Sequence, residues 1–299
     1  GRLSRGSMTR TIQALRICQQ KLRRNKVRRM RLVATEACRR AANGAEFMQR
    51  IQRETGLKLD IIKPEEEAQL AVISCAPLVN RKTHNLLVVD IGGGSTELVW
   101  IDISKVPKAD RAQSIMRLHG GFHQAKTDVP AARVVDWISV PLGVATLRDQ
   151  FSDVEDDAAR FALMSWFFEE NLTDFTPYQS IQSQDHFQIV GTSGTVTTVA
   201  ASHLGLKRYD RTKVDGLRMT SAQIDKVIHS YLAMGPGGRR ADPRIGLDRQ
   251  ALIMSGAAIL QALMRCWPTD RLSVADRGLR EGLLYAQMSA DGVLEEGLG

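Results

Sequence analysis

The chain has 299 residues, 43% of them hydrophobic, with 41 Lys and Arg against 33 Asp and Glu. That length suits about two domains on a prior of roughly 150 residues each, and the apolar share is enough for a sizeable core. No run of about 18 apolar residues occurs, which excludes a membrane-spanning helix of that kind, and four scattered cysteines without a CxxC pair suit a reducing cytoplasm better than a disulfide framework or zinc site.

The positive charge is concentrated at the start. Residues 1–40 carry 13 Lys or Arg and one acid, Glu36. This is either a solvated helix face with a basic connection or an attractor for a polyanion. Polyphosphate or nucleic acid would satisfy the second reading, but no aromatic interleaving or nucleic-acid motif supports the latter. The basic start lacks an apolar stretch and does not read as a secretory signal.

Met8, Ile12, Leu15 and Leu22 fall on one helical stripe. Met30 to Val33 reads as a strand leading to a short helix through Arg39 that ends near Asn43-Gly44. Phe47, Met48 and Ile51 predict another helix, closed by Gly56. Leu57 to Ile61 reads as a strand. Pro64 suits the first position of a helix, with Glu65, Glu66 and Glu67 in its first turn. That helix is expected to run to about Val79 and to join two lobes, predicted as residues 1–80 and 81–299, with the polar stretch 80–85 at the boundary.

Next comes Leu87-Val88-Val89-Asp90-Ile91-Gly92-Gly93-Gly94-Ser95-Thr96-Glu97-Leu98-Val99-Trp100. The order predicts strand, tight turn, strand, with the acid at the exit of the first strand. Glycine in such a turn permits positive φ and close approach of a phosphate, and successive N–H groups there make an anion-binding concavity. Asp90 and Glu97 suit a hard divalent cation beside that anion. No Gly-Lys-Ser/Thr follows, so this is not a P-loop. An ordinary glycine-rich hairpin is the plainer alternative.

Residues 120–132 read as a loop insertion. His119 and His123 are four apart, but Gly120-Gly121 between them predicts a loop rather than a metal pair. Phe187 to Val190 reads as a strand, Gly191-Thr192-Ser193-Gly194-Thr195 as its turn, and the following residues as a helix. Such a turn aims orphan N–H groups and the positive end of the helix dipole at one point, or simply caps the helix through Ser193 or Thr195. Apolar stripes at Phe161–Leu172, Ile224–Tyr231 and Ile253–Leu263 predict core helices. Arg239 and Arg240, after Gly235-Pro236-Gly237-Gly238, are expected on a mobile basic loop.

These motifs together resemble the exopolyphosphatase/guanosine pentaphosphate phosphohydrolase (Ppx/GppA) family of the actin-like superfamily. The resemblance rests on Asp90–Glu97 (DIGGGSTE), Gly191–Thr195 (GTSGT), Ala34–Asn43 (ATEACRRAAN), Pro64–Leu70 (PEEEAQL) and Asp276–Leu284 (DRGLREGLL), in that order. The combination of EEEA with GLREG is what narrows the superfamily to this family. It implies an α/β, two-domain actin-like fold with ribonuclease H-like lobes, an active site in the interdomain cleft, and the last helix packing back on the first lobe. The family opens with an Asp-x-Gly-Ser-Asn-Ser-like phosphate loop that residues 1–30 do not contain. The chain is therefore expected to lack the first strands of its first lobe and to be a short form without the family's further C-terminal helical domain.

The resemblance also implies roles. Glu67 is the expected base that activates water; without the resemblance, the three glutamates would merely complement the helix dipole. Arg39 matches an arginine near the scissile phosphate, or is one more surface arginine in a basic run. Asp90 and Glu97 are expected to hold Mg²⁺ or another divalent cation. Gly92, Gly93, Gly94 and Ser95, with Gly191, Thr192, Ser193, Gly194 and Thr195, are expected to bind phosphate. Arg277 and Arg280 are expected to serve helix packing. Lys63-Pro64 stands where the family often has Ser-Gly. The implied activity is hydrolysis of terminal phosphoanhydrides of polyphosphate or pppGpp in a cytoplasmic, bacterial, stringent-response setting, with polyphosphate or guanosine penta- or tetraphosphate as partner, no nucleic acid, and a homodimer suggested by resemblance alone. The alternatives are a non-catalytic sensor of the same ligands and an actin-like ATPase.

Overall fold

The computed structural model describes residues 1–122, 130–179 and 186–293. They form two compact units, Gly1–Glu67 and Ala68–Gly299.

The first unit holds α1 (Arg5–Arg24), β1 (Val33–Ala34), α2 (Glu36–Arg40), α3 (Gly44–Thr55) and β2 (Asp60–Ile61). The Ser4 hydroxyl caps α1 by accepting from the Ser7 N–H at 3.1 Å. The stripe on α1 meets α3 in a small core of Ile12, Phe47, Ile51 and Leu57, flanked by Met8, Leu15 and Leu22. Gly56 ends α3 in the left-handed region, φ 71°, where a side chain would be strained. The two strands are shorter than their apolar runs suggest. They pair in parallel over two residues each, Val33 with Asp60 and Ala34 with Ile61, so only that length has a ladder partner among the described residues. α1 closes with the Val27 N–H donating to the Leu22 carbonyl and the Lys26 N–H to the Arg23 carbonyl. This is the paired hydrogen-bond pattern that usually places glycine in the left-handed position. Here Lys26 occupies it, at φ 50°.

α4 (Pro64–Cys75) begins on Pro64 with its three glutamates in the first turn. The units meet at Glu67–Ala68, inside this helix, rather than after residue 80. The reason is burial: Ala68, Val72 and Cys75 enter the same apolar cluster as Leu86, Val88, Val99 and Ile101 of the second unit.

That unit is organised by a six-stranded mixed sheet in the order β5–β4–β3–β6–β8–β7. Its strands are β3 (Asn85–Ile91), β4 (Thr96–Asp102), β5 (Arg133–Val140), β6 (Phe187–Thr192), β7 (Arg218–Met219) and β8 (Leu272–Ala275). β3, β6 and β8 run parallel, and β4, β5 and β7 antiparallel to their neighbours. Alternate residues of a strand face opposite sides. Leu87, Val89, Leu98, Trp100 and Ile189 enter one core, covered by α6 (Val144–Gln150), α7 (Asp157–Glu170), α8 (Gly194–His203), α10 (Ser221–Ala241) and α11 (Ile253–Cys266). Leu86, Val88, Val99 and Val190 enter the other, beside α4 and α5 (Arg111–Met116). Burial on both faces explains the continuous apolar run of β3. α9 (Arg211–Val214) and α12 (Leu279–Ala290) complete the unit. α12 packs on the second half of α4, where a β-carbon on Gly282 would stand 2.1 Å from the Leu70 carbonyl oxygen.

Arg239 and Arg240 are not on a loop. Gly235 (φ 63°, ψ 178°) breaks α10, and the helix resumes at Pro236, since proline suits a first helical position. Arg239 is 4% exposed. Its guanidinium donates to the Tyr231 carbonyl and to Asp157, both at 2.7 Å, and so clamps the break. His119 Nε2 lies 2.8 Å from the Ser289 hydroxyl, and His123 lies outside the described residues. No described helix is long and apolar enough to cross a membrane.

Candidate active site

β3 and β4 place Asp90 directly opposite Glu97. β5 puts Ser139 beside Glu97, and β6 puts Thr192 beside Asp90. Side chains opposite one another on a sheet stand about 4.5–5.5 Å apart at their β-carbons. A row of oxygen donors, Ser139, Glu97, Asp90 and Thr192, therefore crosses four strands at the carboxyl end of the parallel strands, where open α/β sheets bind ligands. Glu97 is 2% exposed. Its Oε1 accepts from the Ser95 hydroxyl at 2.6 Å and the Ser139 hydroxyl at 2.9 Å, which holds it against rotation.

The glycine turn above this row is oriented by α6. The Val144 N–H donates to the Gly92 carbonyl and the Ala145 N–H to the Gly93 carbonyl, each at 2.9 Å, and the Thr146 hydroxyl donates to the Gly94 carbonyl at 3.2 Å. In a trans peptide the N–H points opposite to the C=O. Three carbonyls turned toward α6 thus turn the N–H groups of Gly93, Gly94 and Ser95 away from it, and none of these has a partner among the described residues. They form an anion-binding nest. Gly92 differs from expectation: its N–H donates to the Ser95 carbonyl at 2.9 Å and closes the turn. The Ser95 hydroxyl is likewise a support for Glu97 rather than a phosphate donor. Gly92 and Gly93 lie outside the left-handed region, so what the turn demands is room. Gly143 supplies it, because a β-carbon there would stand 2.4 Å from the Gly92 oxygen and 2.5 Å from the Gly93 carbonyl carbon.

The second loop leaves the neighbouring parallel strand. Ser193 caps α8, its hydroxyl oxygen accepting from the Val196 N–H at 3.1 Å. The N–H groups of Ser193, Gly194 and Thr195, at the helix start, have no partner among the described residues. Gly191 and Thr192 belong to β6 itself, paired with β3 and β8, so their N–H groups lie in the ladder and not in the loop. Gly191 is needed for packing, with both Val196 γ-carbons 3.3 Å from where its β-carbon would be. The Thr192 hydroxyl donates to the Arg277 carbonyl, and Thr195 is buried against Gly256 of α11.

In the first unit, Arg39 and Glu67 are brought together. The Arg39 guanidinium donates to Glu67 Oε2 at 3.2 Å, to Glu36 Oε2 at 2.6 Å and to the Ile62 carbonyl at 2.7 Å. Most of its donors are thus engaged, and its visible work is to hold Glu67. Burial raises the Glu67 carboxyl above the ordinary glutamate range; Arg39 and the Thr35 hydroxyl oppose this, and the nearby Glu36 charge adds to it. Arg277 is bound by Asp215, with contacts of 2.8 to 3.2 Å, as a packing arginine should be. Arg280 is exposed.

The sequence model of the Ppx/GppA phosphatase family matches residues 1–291. The chain belongs to that family. It is 27% identical over 289 residues to a guanosine-5'-triphosphate,3'-diphosphate pyrophosphatase of Aeromonas salmonicida, covering 95% of this chain and 50% of that protein. It is 24% identical over 265 residues to exopolyphosphatase 1 of Mycobacterium leprae, covering 86% and 68%. The chain thus spans about half the length of the first of these relatives. Among solved structures, the Ppx-GppA enzyme of Aquifex aeolicus superposes with a TM-score of 0.71 at 30% identity, over 96% of this chain and 84% of that one. An exopolyphosphatase from Cytophaga hutchinsonii, at 20% identity and a TM-score of 0.77 over 98% and 85%, shares the fold. The lobes are those of the actin-like α/β proteins of this family.

One residue beside the second loop escapes the sequence motifs. Arg249 lies across the start of α8, its Nη1 only 1.6 Å from where a β-carbon on Gly194 would be. No hydrogen bond or ion pair within the described residues engages its guanidinium. A planar cation over open helix-start N–H groups suits a phosphate oxygen. Its sequence signal is slight, a single arginine in a polar stretch. Arg249→Ala is expected to raise KM for a polyphosphorylated substrate about tenfold, one charged hydrogen bond of about 1.5–3 kcal/mol. An unchanged KM would remove Arg249 from the site.

Proposed function

We propose that this chain is a divalent-cation-dependent phosphoanhydride hydrolase that releases terminal orthophosphate from inorganic polyphosphate or the 5′-phosphate of pppGpp. The observation that carries this reading is the juxtaposition of two chemistries in one turn: three outward N–H groups, Gly93 to Ser95, beside the opposed carboxylates Asp90 and Glu97. The first group receives phosphoryl oxygens, and the second suits a hard cation. The names of the relatives support both substrates.

Asp90 and Glu97, with Ser139 and Thr192 nearby, form an all-oxygen set on a rigid sheet, which fits Mg²⁺ with most of its waters kept. When bound, the ion would neutralise charge on the phosphoryl oxygens. The protein positions the phosphoryl group through the Gly93–Ser95 nest, the α8 start and Arg249. Glu67, the base that the family resemblance implies, would take the proton of the attacking water; the terminal P–O–P bond breaks, orthophosphate carries the water oxygen away and the shortened substrate keeps the electron pair.

The test is orthophosphate release from long polyphosphate and from pppGpp, with Mg²⁺ and with chelator. Release from either that disappears with chelator supports the reading; no release from either overturns it. Asp90→Asn is expected to weaken the apparent Mg²⁺ affinity by more than about tenfold, since even outer-shell changes lower metal affinity by about 10–100-fold. An unaltered Mg²⁺ titration would remove Asp90 from the cation site.

A further inference from the structure

The second unit contains a cavity of about 250 Å³ between the end of α8 and one face of α10. Its floor is apolar, with Val227, Met234 and the buried ring of Tyr231. His203, Lys226 and Arg244 line it, and no carboxylate does. Lys226 is exposed, and neither it nor His203 makes a side-chain hydrogen bond or ion pair within the described residues. Asp242 takes the Nε and Nη2 donors of Arg244. This fixes the guanidinium and leaves its Nη1 without a partner among the described residues. Cationic donors over a low-dielectric floor attract an anion. The end of α8 does not oppose this with bare carbonyls, because those of Ala200, Ala201 and Ser202 accept from the Leu204, Leu206 and Gly205 N–H groups.

Two hydroxyls add a second observation. Tyr231 is 0% exposed, and its hydroxyl lies 2.6 Å from the Ser202 hydroxyl and 3.5 Å from the Thr198 carbonyl. Burial pushes the Tyr231 phenol up to about 12, so it keeps its proton. The contact to Thr198 is too long to be strong, which makes Ser202 the acceptor. The single hydrogen of the Ser202 hydroxyl is then unspent at the cavity wall. The break in α10 shapes the cavity as well. In an unbroken helix residues 234 and 244 would lie about 15 Å apart along the axis. With the chain turned at Gly235, Met234 and Arg244 line one cavity.

We propose that this cavity binds the phosphate group of a small phosphomonoester, at a site separate from the one proposed for hydrolysis. Lys226 and His203 supply the charge, Arg244 Nη1 and the Ser202 hydroxyl supply fixed donors, and the organic part of the ester covers Val227 and Met234. The inference does not depend on the proposed function.

The experiment is an amide chemical-shift titration of the full chain, with chelator present, read at Ser202, Lys226 and Ser230. Phenyl phosphate is the probe, with inorganic phosphate and benzoate as separate arms. Saturable shifts at those three amides are expected with phenyl phosphate, and weaker ones with inorganic phosphate, which cannot cover the floor. Equal affinity for the two phosphates would assign the same site to free orthophosphate. Lys226→Glu is expected to lower the affinity at least about tenfold, the worth of one charged hydrogen bond. Lys207→Glu, the same charge change outside the cavity, should leave it in place. Absence of saturable shifts at the three amides overturns the proposal, as do shifts confined to the Gly93–Ser95 turn. Benzoate binding as tightly as phenyl phosphate, or equal loss in the two charge reversals, overturns it too.

Discussion

Glu67→Gln is expected to lower turnover by about 10²–10⁴-fold, the usual worth of a positioned general base, while leaving polyphosphate binding within about twofold. The amide keeps the shape and still accepts from Arg39, but it cannot take a proton. The pH profile gives an independent check. Burial raises the Glu67 carboxyl in the folded protein, and the base acts only when ionised. Activity should therefore fall as pH drops through a value above the ordinary glutamate range. For stability the sign is opposite. A raised folded-state pKa favours the protonated native protein, so this contribution is complete below the unfolded pKa and is lost as pH rises through the folded one. Glu67→Gln should remove the acid limb and should not lower the thermal midpoint at neutral pH. Full turnover in the variant would sink the assignment.

Gly143→Ala is expected to displace the glycine turn and so to damage both stability and turnover. Its φ of −112° and ψ of −175° suit any residue, so conformation is not the obstacle. The new carbon would meet backbone, the Gly92 oxygen at 2.4 Å, the Gly93 carbonyl carbon at 2.5 Å and the Gly94 nitrogen at 2.6 Å. Overpacking of that kind destabilises by about 1–3 kcal/mol. A shift of the turn by about 1 Å should reduce kcat/KM on the order of 10²-fold. Gly237→Ala is the matched control: nothing lies within 4 Å of its β-carbon position, and it should be neutral or slightly stabilising. Equal behaviour of the two variants would show that the turn tolerates displacement.

Periodicity and punctuation carried much of the fold. The apolar runs of β3 and β6 are legible because both faces of those strands are buried, and the Asp90–Glu97 hairpin because its glycines interrupt two such runs; the strand Leu272–Ala275, only four residues long, is not singled out by the sequence. Glu67 is singled out only by resemblance, since three glutamates in a first turn have a sufficient explanation in the helix dipole. What could not be read depends on contacts between distant segments. Nothing local to Gly143 says that it must face Gly92. Nothing local to Ser95 or Thr192 says that their hydroxyls support Glu97 and the Arg277 carbonyl instead of a ligand. The Gly235–Gly238 stretch misleads for a different reason: glycine and proline mark a break, but Pro236 also opens the helix that follows, which turns Arg239 inward.

The donors from α6 to the glycine turn join segments 52 residues apart in the case of Thr146 and Gly94. Closing such a loop is entropically unfavourable. The nest is thus absent from the unfolded chain and from any state in which α6 has detached, and an anion that occupies it must hold α6 closed by mass action. Slowed amide exchange at Val144 and Ala145, two residues that need never touch the anion, becomes the readout of its arrival.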